Sequence, residues 1–186
     1  MLRRRPAAIL TVVAMAALAG CGSSPDVRVV SDGSGYGFSD AVPGAFIRLS
    51  TLSVCVEDGA NATVTGARFA GADVPRIDGF AVRDRAADDV GAYLGTDPEP
   101  LGDDTEITMP CPAKDRSTAS DTGQSLVLLA QVSEIGSRLD LNSVDVDYRV
   151  DGETRTTTVP VDLALCPVDD GGSEAGCAAD SDDGLD

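Results

Sequence analysis

The sequence predicts an all-β protein, an immunoglobulin-like antiparallel β-sandwich of about seven short strands. Three observations carry that expectation. Val144, Val146, Tyr148 and Val150 alternate with Asp145, Asp147 and Arg149, which is the two-residue period of a half-buried strand. Turn dipeptides, Asp58-Gly59 and Asp151-Gly152 among them, separate stretches of this kind. Only residues 84–94 look briefly helical, and Gly91 weakens even that stretch.

Taken in chain order, residues 22–44 are rich in Gly, Pro, Ser and Asp and read as a flexible tether, with room for a short strand at Val27–Val30. The run Gly33-Ser34-Gly35-Tyr36-Gly37 is not read as a phosphate loop. It lacks a preceding parallel strand, a following helix and the lysine such loops use. From Ala45 the composition tightens. In TLSVCVED, Leu52, Val54 and Val56 share one face, with Thr51, Ser53 and Cys55 on the other. NATVTGARF follows Asp58-Gly59, so a hairpin is expected there. IDGFAVRD and TEITM are further strand candidates, and SLVLLAQVS is apolar enough for a strand covered on both faces. The long hairpin around Asp151-Gly152 runs on through Val161, Leu163 and Leu165 to Cys166. Tryptophan is absent, so the buried-Trp mark of true immunoglobulin domains cannot apply. The last residues, DGGSEAGCAADSDDGLD, form an acidic low-complexity tail.

The start of the chain speaks to location. Arg3, Arg4 and Arg5 precede an uncharged stretch from Pro6 to Ala19, the pattern of a secretory leader. The stretch is too short for a spanning helix, which needs ~20 apolar residues. Leu18-Ala19-Gly20-Cys21 closes it. This leader and motif resemble the lipobox of bacterial lipoproteins. The resemblance implies that the Cys21 thiol receives a diacylglyceryl group, that the chain is cut just before it, and that the new amine is acylated. Two or more acyl chains anchor stably where one does not. The resulting division is a signal peptide at 1–20, lipidated cysteine and tether at 21–44, a sandwich domain at 45–168 and a tail at 169–186. Thirteen of the fourteen basic residues are arginine, Lys114 being the lone lysine, and the chain is rich in Ala, Gly, Asp and Val. In this it resembles secreted proteins of high-GC actinobacteria.

Loss of the leader leaves 11 basic residues against 31 acidic, a net charge of −20. Such a surface repels nucleic acid and anionic headgroups, so no nucleic acid partner is expected. The membrane, reached through the lipid, is the expected partner, together with an envelope protein or small ligand. After Cys21 the cysteines are Cys55, Cys111, Cys166 and Cys177, an even set that outside the cytoplasm reads as two disulfides. Three pairings are open to four cysteines. The expectation is Cys55–Cys111 with Cys166–Cys177, the second closing a short glycine-rich loop. Zinc is disfavoured by the absence of any C-x-x-C pair or histidine.

No catalytic constellation emerges and no cofactor is called for. Without histidine, Ser–His–Asp and Cys–His arrangements are excluded. Lys114 and Ser117 read as an exposed loop, and the cysteine spacings do not suit a redox pair. Asp140, Asn142, Asp145 and Asp147 form one oxygen-rich cluster a calcium ion could use, and Asp103, Asp104 and Glu106 another. Neither follows the EF-hand pattern, and Asp145 and Asp147 equally fit the solvent face of a strand. The function expected is a lipid-anchored, non-catalytic binding or scaffold module of the cell envelope. The alternative is a carboxylate-dependent extracytoplasmic hydrolase, with or without the assistance of a metal ion.

Overall fold

A computed structural model describes residues 26–57, 60–71, 74–85, 90–112, 123–168 and 177. Within them the protein is essentially all β, with two five-stranded sheets facing one another. The strands are β1 (Val27–Ser31), β2 (Gly35–Ala41), β3 (Phe46–Val56), β4 (Ala62–Phe69), β5 (Arg76–Asp84), β6 (Ala92–Gly95), β7 (Glu106–Ile107), β8 (Gln124–Gln131), β9 (Leu139–Val150) and β10 (Glu153–Pro167). The first sheet has the order β1-β3-β8-β5, with β6 also on β3, and the second has the order β2-β10-β9-β4-β7.

The β9–β10 hairpin follows the sequence to the residue. Val150 pairs with Glu153 across Asp151 and Gly152, both of which have positive φ, the mirror-image turn that suits twisted strands. Val144, Val146, Tyr148 and Val150 point inward and share one core with Leu126, Leu128, Leu52 and Val54 of the first sheet. The nearly continuous apolar run of β8 is also explained. Leu126, Leu128 and Ala130 enter the main core, while Val127 packs on the opposite face with Ala81 and Leu101. That second cover comes from the segment joining β6 to β7, a strap that crosses the outer face of the first sheet. Arg83 holds the strap by donating from Nε and Nη2 to the Leu101 carbonyl, at 2.9 and 2.6 Å.

In β3 the phase of burial changes. Ile47 and Leu49 point into the core, and so do Leu52, Val54 and Val56. A register shift between Leu49 and Leu52 inserts one extra residue and makes both sets face inward. The same bulge divides the strand's outer edge. β6 pairs with Phe46 to Leu49, and β1 pairs with Leu52 to Val56. Ser50 and Thr51 sit at the division, both buried.

Four expectations need correction. The tether contains two strands, β1 and β2, so the folded unit begins well before residue 45. Its glycines misled because Gly35 and Gly37 lie on the outer face of β2, leaving Tyr36 and Phe38 to pack on the core. Strands β3 and β4 form no hairpin. They lie in different sheets, since β3 is already flanked by β8 and by β1 and β6. The helix expected at 84–94 is not formed where the structure describes it, for Asp84 ends β5 and Ala92 begins β6. Finally, the sandwich is not wholly antiparallel. β2 runs parallel to β10, from Gly35 opposite Asp162 to Ala41 opposite Pro167.

Both expected disulfides are formed. Cys55 joins Cys111 with Cα atoms 4.9 Å apart, and Cys166 joins Cys177 at 5.9 Å. Cys177 is buried and its Sγ lies 3.0 Å from the Phe38 carbonyl oxygen, so this part of the tail is fastened to β10 and β2. The rest of 169–186 lies outside the described residues, as do Cys21, Lys114 and Ser117.

Candidate functional site

The bulge in β3, the short strand β6 and the strap together create a groove of about 550 Å³ on the outer face of the first sheet. Its floor follows from strand alternation. Because Ile47 and Leu49 face the core, Phe46 and Arg48 face outward. Pairing then puts Tyr93 of β6 on one side of Arg48 and Leu129 of β8 on the other. Ser50 closes one end, its Oγ donating to the Gly91 carbonyl at 3.0 Å while its N–H donates to the same oxygen at 2.8 Å. Asp97, Pro98 and Glu99 of the strap form the far wall.

The polar geometry is specific. Arg48 Nη1 donates to Glu99 Oε2 at 2.6 Å. The arginine side chain is 19% exposed and the glutamate 75%, so the strap reaches in to a half-sunk cation. Arg48 Nε is buried and has no hydrogen-bond partner. Tyr93 is 64% exposed, high for so large a ring. A Cβ built on Gly95 would lie 2.5 Å from its Cε1 and 2.9 Å from its Oη, so the hydroxyl end of the ring lies over Gly95 and a side chain there would have to push it aside.

None of these residues stands out in the sequence. Arg48, Tyr93 and Glu99 belong to no spacing motif and meet only because β6 docks on β3. The one available signal was an aromatic residue ahead of an acidic, proline-rich stretch, Tyr93 before TDPEP.

The residues proposed for calcium are placed otherwise. Asp145 and Asp147 lie on the outer face of β9, where Arg68 of β4 bridges them, Nη2 to Asp145 at 3.0 Å and Nη1 to Asp147 at 2.7 Å. Thr158 and Thr156 of β10 donate to the remaining oxygens at 2.6 and 2.5 Å. The two carboxylates are thus spent on a three-strand ladder. Asp140 accepts from Arg138 Nε at 2.8 Å, and Asn142 is exposed. In the second cluster Asp104 accepts the Glu106 N–H, a local turn contact. Among the described residues, no three acidic or cysteine side chains gather as a metal site would require.

At the other end of the molecule Tyr148 is almost wholly buried and its hydroxyl donates to Asp26 Oδ1, just before β1. Burial, reinforced by the Asp26 carboxylate, pushes the phenol up to about 12. In the unfolded chain it ionises near its ordinary value of about 10. Below pH 10 both states keep the proton and the contact contributes fully. Between pH 10 and 12 only the unfolded state releases it, so stability falls through that window by about 2 kcal/mol. Denaturant titrations at pH 9, 10, 11 and 12 check this. The wild-type midpoint should drop more steeply than that of Tyr148→Phe, and parallel slopes would refute the assignment.

No protein-family model matches this chain, and no curated protein matches it. Among solved structures, the VesB protease of Vibrio cholerae is similar over 75% of this chain and 31% of its own, with 12% identity and a TM-score of 0.33. This chain spans less than a third of that protein's length, and so slight a likeness says nothing of what the chain does.

Proposed function

We propose that the protein is a non-catalytic binding module held at the outer face of a membrane by lipid on Cys21. The strapped groove carries the binding half of this reading. It is a concave site with an exposed aromatic ring and a few placed charges, as recognition sites have. Its two acids do not act as a catalytic pair, since Glu99 is engaged by Arg48, and the chain has no histidine to serve as a base.

Support for the location comes from two sides. Two disulfides need an oxidising, extracytoplasmic compartment. The leader ends in Leu18-Ala19-Gly20-Cys21. With lipid on Cys21, Val27 at the start of β1 stands within roughly 20 Å of the bilayer, the reach of the short intervening chain. Val27 pairs with Val56 at the far end of β3 from Arg48. Arg48 lies about 26 Å from that end along β3, at ~3.3 Å per strand residue.

Cys21→Ser tests the anchoring. The variant should leave the membrane fraction or accumulate with its leader uncut, and mass spectrometry of the native protein should find the acyl groups. Normal processing together with membrane fractionation of the variant would refute the proposal.

A further inference from the structure

We propose that the groove binds a cationic partner segment, seating a lysine or arginine side chain between the open face of Tyr93 and the carboxylates of Asp97 and Glu99. The inference rests on the binding-module reading and names its ligand class. Three independent features point to a cation. The hydroxyl end of Tyr93 lies over Gly95 and the residue is 64% exposed, which leaves electron-rich ring surface of the kind a cation prefers. The groove charges are one positive, Arg48, and two negative, Asp97 and Glu99. Arg48 is already matched by Glu99 at 2.6 Å, so the wall retains a surplus negative charge at Asp97. The whole chain, at −17, steers cations toward any such site and slows anions.

An anionic occupant is the natural rival, because arginine is a common carboxylate receptor. Here it would have to expel Glu99 from Arg48 against the field of the chain. Of the guanidinium nitrogens, Nη1 already donates to Glu99 and Nε is buried. The volume of about 550 Å³ suits one or two side chains of an extended segment rather than a folded domain's face.

The test uses the purified full chain in oxidising buffer, with hepta-lysine and hepta-glutamate peptides as probes. Amide shifts in NMR spectra report where each binds. Hepta-lysine should shift Ala92 to Gly95 and Leu129 first. Tyr93→Leu should weaken it about five-fold while Tyr93→Phe retains binding. Asp97→Asn should weaken it about three-fold. Glu153→Gln makes the same charge change on an exposed side chain outside the groove, and should change affinity less. Equal losses in Asp97→Asn and Glu153→Gln, or shifts spread over the whole surface, would mean diffuse attraction and overturn the proposal. Preference for hepta-glutamate, or binding of neither peptide, overturns it as well. Cys21 fractionation is unaffected by any of these outcomes, so failure here leaves the anchoring to stand or fall by itself.

Discussion

Replacing Cys55 and Cys111 together with alanine lowers the free energy of unfolding by about 4 kcal/mol, the largest single effect expected in this protein. The bond joins residues 56 apart in sequence, and closing so long a loop removes much of the unfolded chain's freedom. It also fastens the stretch after β7 to the end of β3, where Val56 N–H donates to the Met109 carbonyl and Cys111 N–H donates to the Val56 carbonyl, both at 2.9 Å. Removing Cys166 and Cys177 opens a loop with a separation of only 11 and should cost less, about 3 kcal/mol. Chemical denaturation of both double variants under oxidising conditions gives the order. If the shorter loop proves the more costly, chain entropy is not what the bonds contribute.

Leu126→Ala should cost about 3 kcal/mol, the largest effect expected of a single substitution. Leu126 is fully buried on β8, which has β3 on one side and β5 on the other, and its side chain enters the main core between the sheets. Truncation leaves a void that two hydrogen-bonded sheets cannot close by shifting. Its neighbour Val127 points the other way, into the small cluster under the strap with Ala81 and Leu101. Val127→Ala should cost less, because fewer methyl groups are lost and the strap is freer to settle. Denaturant midpoints of the two variants distinguish these positions, and equal losses would contradict a two-sided β8.

The contrast between Leu126 and Val127 also shows how much could be read in advance. An unbroken apolar run announced cover on both faces of β8, but not that the second cover would be a strap anchored by Arg83. Strict alternation and Asp151-Gly152 gave away β9 and β10, because period and turn are local properties. The hairpin expected at Asp58-Gly59 failed for the complementary reason. A turn dipeptide reverses the chain without saying which sheet it rejoins. β1 and β2 were hidden by composition, since glycine on the solvent face looks like a linker although Tyr36 and Phe38 still alternate beneath it. The groove was the least legible feature. Its residues become neighbours only through the bulge at Ser50 and Thr51 and the docking of β6. Likewise no spacing could tell that Arg68 would lie between Asp145 and Asp147 and turn an apparent ion site into a ladder.

The parallel pairing of β2 with β10 has a consequence for biogenesis. Gly35 waits for Asp162, and Ala41 for Pro167, so an early strand must stand idle until nearly the last one has been synthesised. At ~10 residues per second the delay is on the order of ten seconds, long compared with the time in which a hairpin zips. Throughout that interval Tyr36 and Phe38 are uncovered. A chain stalled or clipped before residue 162 therefore carries a sticky, unfinished edge, which makes it a ready target for quality-control proteases.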